Sequence, residues 1–294
     1  MPTEATPSSP EANAGQRRYW SERAGPHWVE RQNVFDTMLA PHGRALLDVL
    51  QPMRGERVLD VGCGFGTTAL DVARSVGDEG GVHGVDLSSA MVERARERAD
   101  AAGLGNATFQ VGDAQVDPLA PHTPYDAATS RFGVMFFDNP VAAFTNVRAA
   151  VRPGGRLGFV CWQGAAANPF FTIGARVLLP ALLEPPPSPD PSAPGPLAFA
   201  DPERVRRVLA ASGWSDIAVD GRKLPVRFVG DSDVAMATAL DQLMSSDLGR
   251  IAARQLDSRR LAEVIEAACG ELDQNRVDDG IQFDSAIWVV SATN

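Results

Sequence analysis

The chain has 294 residues, 44% of them hydrophobic, and a formal net charge of −10, which suits one α/β-sized domain with additions. An acidic chain with no basic run disfavours nucleic acid as a partner. No apolar run reaches the length of a membrane span, and the polar N-terminal stretch lacks the apolar core of a leader, so the chain reads as cytoplasmic. Cys63, Cys161 and Cys269 are the three cysteines, and they lie without metal-ligand or disulfide spacing, so no metal site is expected. Basic charge rests on arginine, with Lys223 the single lysine, the texture of GC-rich bacterial coding.

Residues 1–15 carry too few apolar groups to offset the entropy of ordering and read as a disordered tail. Residues 16–52 form a helical N-terminal lid: Tyr19, Trp20, Trp28, Val29, Phe35, Met38 and Leu39 have amphipathic spacing, and Ala45 to Leu50 continue as another helix before Pro52. Two readings stay open there. The helices brace the sheet edge, or they close over a ligand with Trp20, Trp28 or His27 facing the pocket. His27, His42 and His122 are the side chains able to titrate near neutral pH, and His27, flanked by two tryptophans, is the candidate base.

Val58 to Thr68 then runs from apolar residues into Gly62, Gly64 and Gly66, followed by a helical pattern through Val76. This is a strand, a tight turn and a helix start, where backbone can approach a ligand closely and unpaired N–H groups face it. A dinucleotide fingerprint needs glycine at the first, third and sixth positions; the sixth is Thr67, which disfavours a nicotinamide-dependent oxidoreductase. Gly81 to Asp86 reads as a second strand ending in an acid that can accept from two ribose hydroxyls. Ser88 or Ser89 caps a helix to Ala102, and His83 reads as a strand residue. Ala107 to Val111 is a third strand, closed by Gly112-Asp113-Ala114. Tyr125 to Phe132 is a fourth, and Arg131, Phe132 and Phe136 follow its exit, where Phe136 and Phe137 serve equally as packing. A helix from Pro140 to Val151 ends in Arg152-Pro153-Gly154-Gly155, turn chemistry before the strand Arg156 to Trp162.

Asp60-x-Gly62-x-Gly64-x-Gly66, the strand-end Asp86, Asp113-Ala114, Tyr125-Asp126 and Arg152-Pro-Gly-Gly occur in the order of the motifs of class I S-adenosylmethionine (SAM) dependent methyltransferases. The chain resembles the small-molecule members of that family, close to the ubiquinone/menaquinone-biosynthesis-like group. The resemblance covers Val58 to Trp162. It implies a doubly wound, mostly parallel seven-stranded α/β sheet with its ligand at the carboxyl ends of the strands. It also implies a cofactor site in which Asp60 and the glycine loop hold the methionine moiety, Asp86 with Leu87 the ribose, and Asp113 with Ala114 the adenine. Arg131 would join that set at the junction with the acceptor, and Trp20, Trp28, Phe132 and Phe136 would line the acceptor pocket.

In this reading residues 53–162 form the SAM-binding core, 163–200 an insertion with a proline-rich exposed loop, and 201–294 complete the sheet with a helical cap at about 231–280. The implied activity is methyl transfer to O, N or C of a small, apolar or aromatic metabolite in secondary metabolism, releasing S-adenosylhomocysteine, by a monomer or homodimer. The alternative that keeps the fold is a SAM-binding enzyme that transfers nothing, of cyclase type.

Overall fold

Val58–Val61, apolar but for Asp60, and Ala127–Ser130, all small, lack polar alternation, the pattern of strands covered on both faces, and in the computed structural model every one of these residues is buried. The structure describes residues 13–119, 124–188 and 190–294; the expected tail over residues 1–12, and His122, lie outside them. The helical arm comprises α1 (Ala14–Arg18), a π-helical turn Tyr19–Ala24, α2 (Gly25–Glu30) and α3 (Gln32–Leu50). The core alternates β1 (Arg57–Val61), α4 (Thr67–Val76), β2 (Gly81–Asp86), α5 (Ser89–Ala101), β3 (Ala107–Val111), β4 (Tyr125–Arg131), α6 (Pro140–Ala150) and β5 (Val151–Trp162). Beyond it come α7 (Pro169–Val177), α8 (Pro202–Ala211), β6 (Ser215–Val229), α9 (Ser232–Met244), α10 (Asp247–Gln255), α11 (Ser258–Asp273), β7 (Arg276–Val277) and β8 (Gly280–Thr293).

The strands form one sheet in the order β3-β2-β1-β4-β5-β8-β6. The first five pair in parallel, and β8 runs antiparallel between β5 and β6. The sheet has eight strands rather than the expected seven because β7, two residues long, pairs with the start of β8. Strand order reverses at β1 and β4, and that switch point puts a crevice at their carboxyl ends.

Four local expectations change. Residues 13–15 are not tail: Asn13 makes the turn into α1. The two helices expected around Pro41 are one, α3, nineteen residues long. Pro41 forfeits one backbone hydrogen bond, but Phe35, Leu39, Leu46 and Leu50 on either side of it are at most 4% exposed, so packing carries the helix through. Arg152–Gly155 is not a plain turn but a bulge within β5: Val151 pairs with Tyr125 and the next pair is Arg156 with Ala127. The strand material expected to be broken at Ile217 to Val229 is one strand, β6; it tolerates Pro225 because it is the last strand of the sheet, with β8 on one side.

Arg156 fastens the arm to the core. Its Nη1 and Nη2 donate to the two Glu56 oxygens at 2.7 and 2.6 Å, and Nε donates to the Leu50 carbonyl at the end of α3, 2.9 Å away. The Glu56 side chain is only 8% exposed, so deleting its carboxylate leaves a guanidinium without its bidentate partner. Glu56→Ala is expected to lower unfolding free energy by about 2 kcal/mol, read as a fall in the urea midpoint at unchanged m-value; an unchanged midpoint would show that the clamp contributes nothing.

Candidate active site

The glycine loop is shaped by a close approach. A Cβ on Gly62 would stand 2.8 Å from the Gly133 Cα, so loop and β4 exit meet backbone to backbone. Gly62, Gly64 and Gly66 all take positive φ (66°, 53° and 84°), which L side chains adopt at a cost. The loop's amides turn inward: Gly64 N–H donates to Asp86 Oδ2 at 2.9 Å, and Ser88 N–H donates to Oδ1 at 2.9 Å. Each Asp86 oxygen therefore keeps one acceptor site. Burial raises the pKa of this carboxyl, and the Ser88, Gly64 and Leu87 amides counter it.

Asp60 sits 1% exposed beneath the loop, and neither of its oxygens meets a donor at full hydrogen-bonding geometry; the Ala69 amide at the start of α4 only eases its charge. Burial, opposed by Arg131 and reinforced by Asp86, pushes its pKa up to about 7. Arg131 lines the same crevice from the end of β4 and meets no hydrogen-bond or ion-pair partner among the described residues, Asp60 included. Burial lowers its pKa while Asp36, Asp60 and Asp71 hold it up, and a guanidinium stays charged. Asp113, also 1% exposed, accepts from the Gln115 amide at 2.9 Å through Oδ1, and its Oδ2 has no hydrogen bond among the described residues.

These acids open into one cavity of about 1300 Å³, counting its mouth. Its other walls are aromatic. Phe132 stacks on Trp162 with centroids 4.1 Å apart and planes 10° from parallel, and Trp162 meets Phe170 and Phe171 edge-on at 5.3 and 5.5 Å. Trp20 packs edge-on against Phe136 at 4.9 Å and Trp28 at 5.7 Å. Phe132 holds φ at 64°, an uncommon conformation for a bulky residue that costs on the order of 1–3 kcal/mol. The stack on Trp162 and the hydrogen bond that Phe132 N–H donates to the Val160 carbonyl, 3.1 Å, hold it there.

The arm closes over both ends of the crevice. Ser21 Oγ donates to the Leu87 carbonyl at 3.1 Å, and Arg31 Nε donates to Asp241 of α9. His27 is not among the cavity's lining residues, which corrects the expectation of a base there. Its Nδ1 accepts from Arg31 at 3.0 Å, and burial first, then the Arg31 charge, lowers its pKa; it props the residue that ties arm to cap. His42 is fully buried and also outside the lining. Its Nε2 lies 2.9 Å from Ser285 Oγ, and burial brings its pKa down to about 4.

Of the remaining expected residues, Asp60, Gly62, Gly64, Asp86, Leu87, Asp113, Ala114, Arg131, Trp20, Trp28, Phe132 and Phe136 line this cavity, whereas Gly66 does not: it turns toward Ala95 and Phe109, where a Cβ would stand 3.0 and 3.2 Å from them. Sequence reasoning missed Asn13, Thr68, Trp162, Pro196 and Gln242, which line it too. Pro196 closes the proline tract, and Gly195 N–H donates to the Met135 carbonyl at 3.0 Å; only the adjacent Leu197 and Phe199 hinted that this tract returns to the core. Among the described residues no His, Cys, Asp or Glu group could hold a metal ion, and no helix is long and apolar enough to cross a membrane.

Residues 58–155 match the model of a methyltransferase domain family. The chain is similar to an aklanonic acid methyltransferase of a Streptomyces species, 36% identical over 48% of this chain and 60% of that protein. It is also similar to a demethylmenaquinone methyltransferase of Corynebacterium kroppenstedtii, 31% identical over 62% of this chain and 77% of that protein. Against three of its relatives the chain spans 60%, 42% and 49% of their lengths. The crystal structure of the [4+2]-cyclase SpnF has the same fold, with a TM-score of 0.53 over 92% of this chain and 95% of that one at 19% identity. The sheet order, the glycine loop at its switch point and a relative matched over three-quarters of its length agree: the chain belongs to the class I SAM-dependent methyltransferase family.

Proposed function

We propose that the chain transfers the methyl group of SAM to a small, apolar or aromatic metabolite of secondary metabolism, releasing S-adenosylhomocysteine. The observation that carries this is one continuous cavity in which three acids, Asp60 and Asp113 fully buried and Asp86 partly so, meet an aromatic chamber. The names of an aklanonic acid methyltransferase and a nocamycin O-methyltransferase among its relatives support an acceptor of that kind.

The residues fit SAM on their own chemistry. Asp60 and Arg131 are opposite charges that share a wall without pairing, an arrangement suited to a zwitterion, with Asp60 facing an ammonium and Arg131 a carboxylate. Asp86 keeps an acceptor site on each oxygen for vicinal hydroxyls, with Leu87 beside it. Asp113 Oδ2 and the Ala114 backbone suit an amino-purine edge. When bound, the cofactor supplies a sulfonium-activated methyl group. The aromatic walls orient a flat acceptor in line with that group, and the arm excludes water. The described lining contains no His, Lys or Tyr, which suits an acceptor that is nucleophilic unaided, as a carboxylate, an acidic enol or a phenolate is. Such acceptors favour methylation at oxygen.

The test is incubation with SAM deuterated on its methyl group together with extract of the source cells, followed by mass spectrometry. Label in one small metabolite is expected; SAM binding without label in any fraction would favour a non-transferring use of the cofactor. Asp86→Ala is expected to weaken SAM binding by about 1.5–3 kcal/mol in calorimetry, and unchanged affinity would remove Asp86 from the ribose site. Asp60 sets a pH dependence. Its folded pKa, about 7, lies above the ordinary 3.8, so its contribution to the stability of the ligand-free protein is full below about pH 4 and is lost as pH rises through 7. An ammonium selects the ionised form, so SAM affinity is expected to rise up to about tenfold per pH unit below 7 and then level off. Asp60→Asn should flatten both slopes, seen in thermal unfolding and calorimetry at pH 6 and 7.5; parallel pH profiles in the two proteins would overturn the assignment.

A further inference from the structure

Asn13 is 3% exposed, takes a left-handed turn at φ 57° and lines the cavity at its Asp113 end. Its Nδ2 donates to Asp113 Oδ1 at 3.3 Å, the orientation an acceptor-only carboxylate dictates. The Asn13 Oδ1 is then buried with no donor among the described residues. Beside it, Asp113 Oδ2 lacks a hydrogen bond and is held only by a long ion pair, 3.5 Å from Arg17 Nη2 of the arm. One unmet buried acceptor and one loosely held carboxylate oxygen thus sit at one end of the crevice, and an unmet buried acceptor is costly unless a ligand supplies the donor.

We propose that Asn13 and Asp113 together read the exocyclic amine of adenine, each accepting one of its two N–H groups, so that the N-terminal arm closes over a 6-aminopurine and not over a 6-oxopurine. This rests on the SAM reading of the cavity. A 6-oxopurine turns a carbonyl toward the two oxygens, which leaves Asn13 Oδ1 without a donor and sets acceptor against acceptor. The arm follows because Asn13 leads directly into α1, and Ser21 farther along it donates to the Leu87 carbonyl on the other side of the crevice. The first turn of the arm is thereby a part of the nucleoside site contributed from outside the strand-and-loop core.

The experiment compares S-adenosylhomocysteine with S-inosylhomocysteine by calorimetry on the full chain and on Asn13→Ala. The substitution lies at the start of the arm and touches no strand, so the variant is expected to fold; its thermal midpoint checks this. Wild type should prefer the adenosyl ligand, and Asn13→Ala should lose about tenfold in adenosyl affinity with the inosyl affinity unchanged, narrowing the preference by that factor. Limited trypsin digestion gives a second reading: cleavage after Arg17 and Arg18 should be slowed in wild type by the adenosyl ligand, not by the inosyl one, and by neither in Asn13→Ala. An equal loss for both ligands, an unchanged preference, or tighter adenosyl binding by the variant would overturn the proposal while leaving the SAM site intact. Binding of neither ligand to wild type would overturn both.

Discussion

The approach of Gly62 to Gly133 is the constraint on which the site depends. Two strand exits, β1 and β4, must come within backbone contact at the point where strand order reverses. No side chain fits between them, and the crevice they leave is where Asp60 and Arg131 face inward without pairing. The same closeness puts Phe132, the residue before Gly133, into its uncommon backbone conformation, where its ring stacks on Trp162. The acid-lined and the aromatic parts of the cavity are thus set by one backbone crossing rather than by two independent loops.

Charge is arranged around that crossing in an uneven way. Asp86 is supported by three amides, Asp113 by one amide, one carboxamide and the Arg17 charge, and Asp60 by the Arg131 charge and the Ala69 amide, neither at full hydrogen-bonding geometry. Burial pushes all three carboxyls toward protonation, and support falls in the order that leaves Asp60 the most sensitive to what enters the site. The histidines show the opposite arrangement. His27 and His42 are bound into the frame with pKa values driven down, which suits struts that stay neutral and leaves the cavity without an imidazole from either.

The core was legible because its signals are local. Strand, glycine turn and helix cap follow one another within Val58 to Thr68, and Asp86 and Asp113 announce themselves as acids at strand ends. What could not be read needed long-range partners. Pro41 is a helix breaker until the buried residues around it are seen to hold α3 together. Pro225 looks like a strand breaker until β6 is found at the sheet edge. Trp162 read as a strand terminus and Gln242 as ordinary cap helix, because nothing near either in the chain says that both reach the cavity. Asn13 was lost in a polar stretch whose composition argues for disorder, and only its proximity to Asp113, a hundred residues on, distinguishes it.

Where a short turn would join β6 and β8, the chain instead inserts three helices, and the two long strands pair along thirteen registered positions from Ser215–Thr293 out to Val229–Gly280. That ribbon is a stiff stalk continuous with the sheet, so the helices at its tip keep a set height above the crevice. The arm, by contrast, meets the cap through side chains, Arg31 with Asp241 of α9 and Arg23 with Asp247 of α10. The two halves of the roof are therefore held differently: one rides on a continuous pair of strands, the other rests on a few ion pairs that salt would weaken.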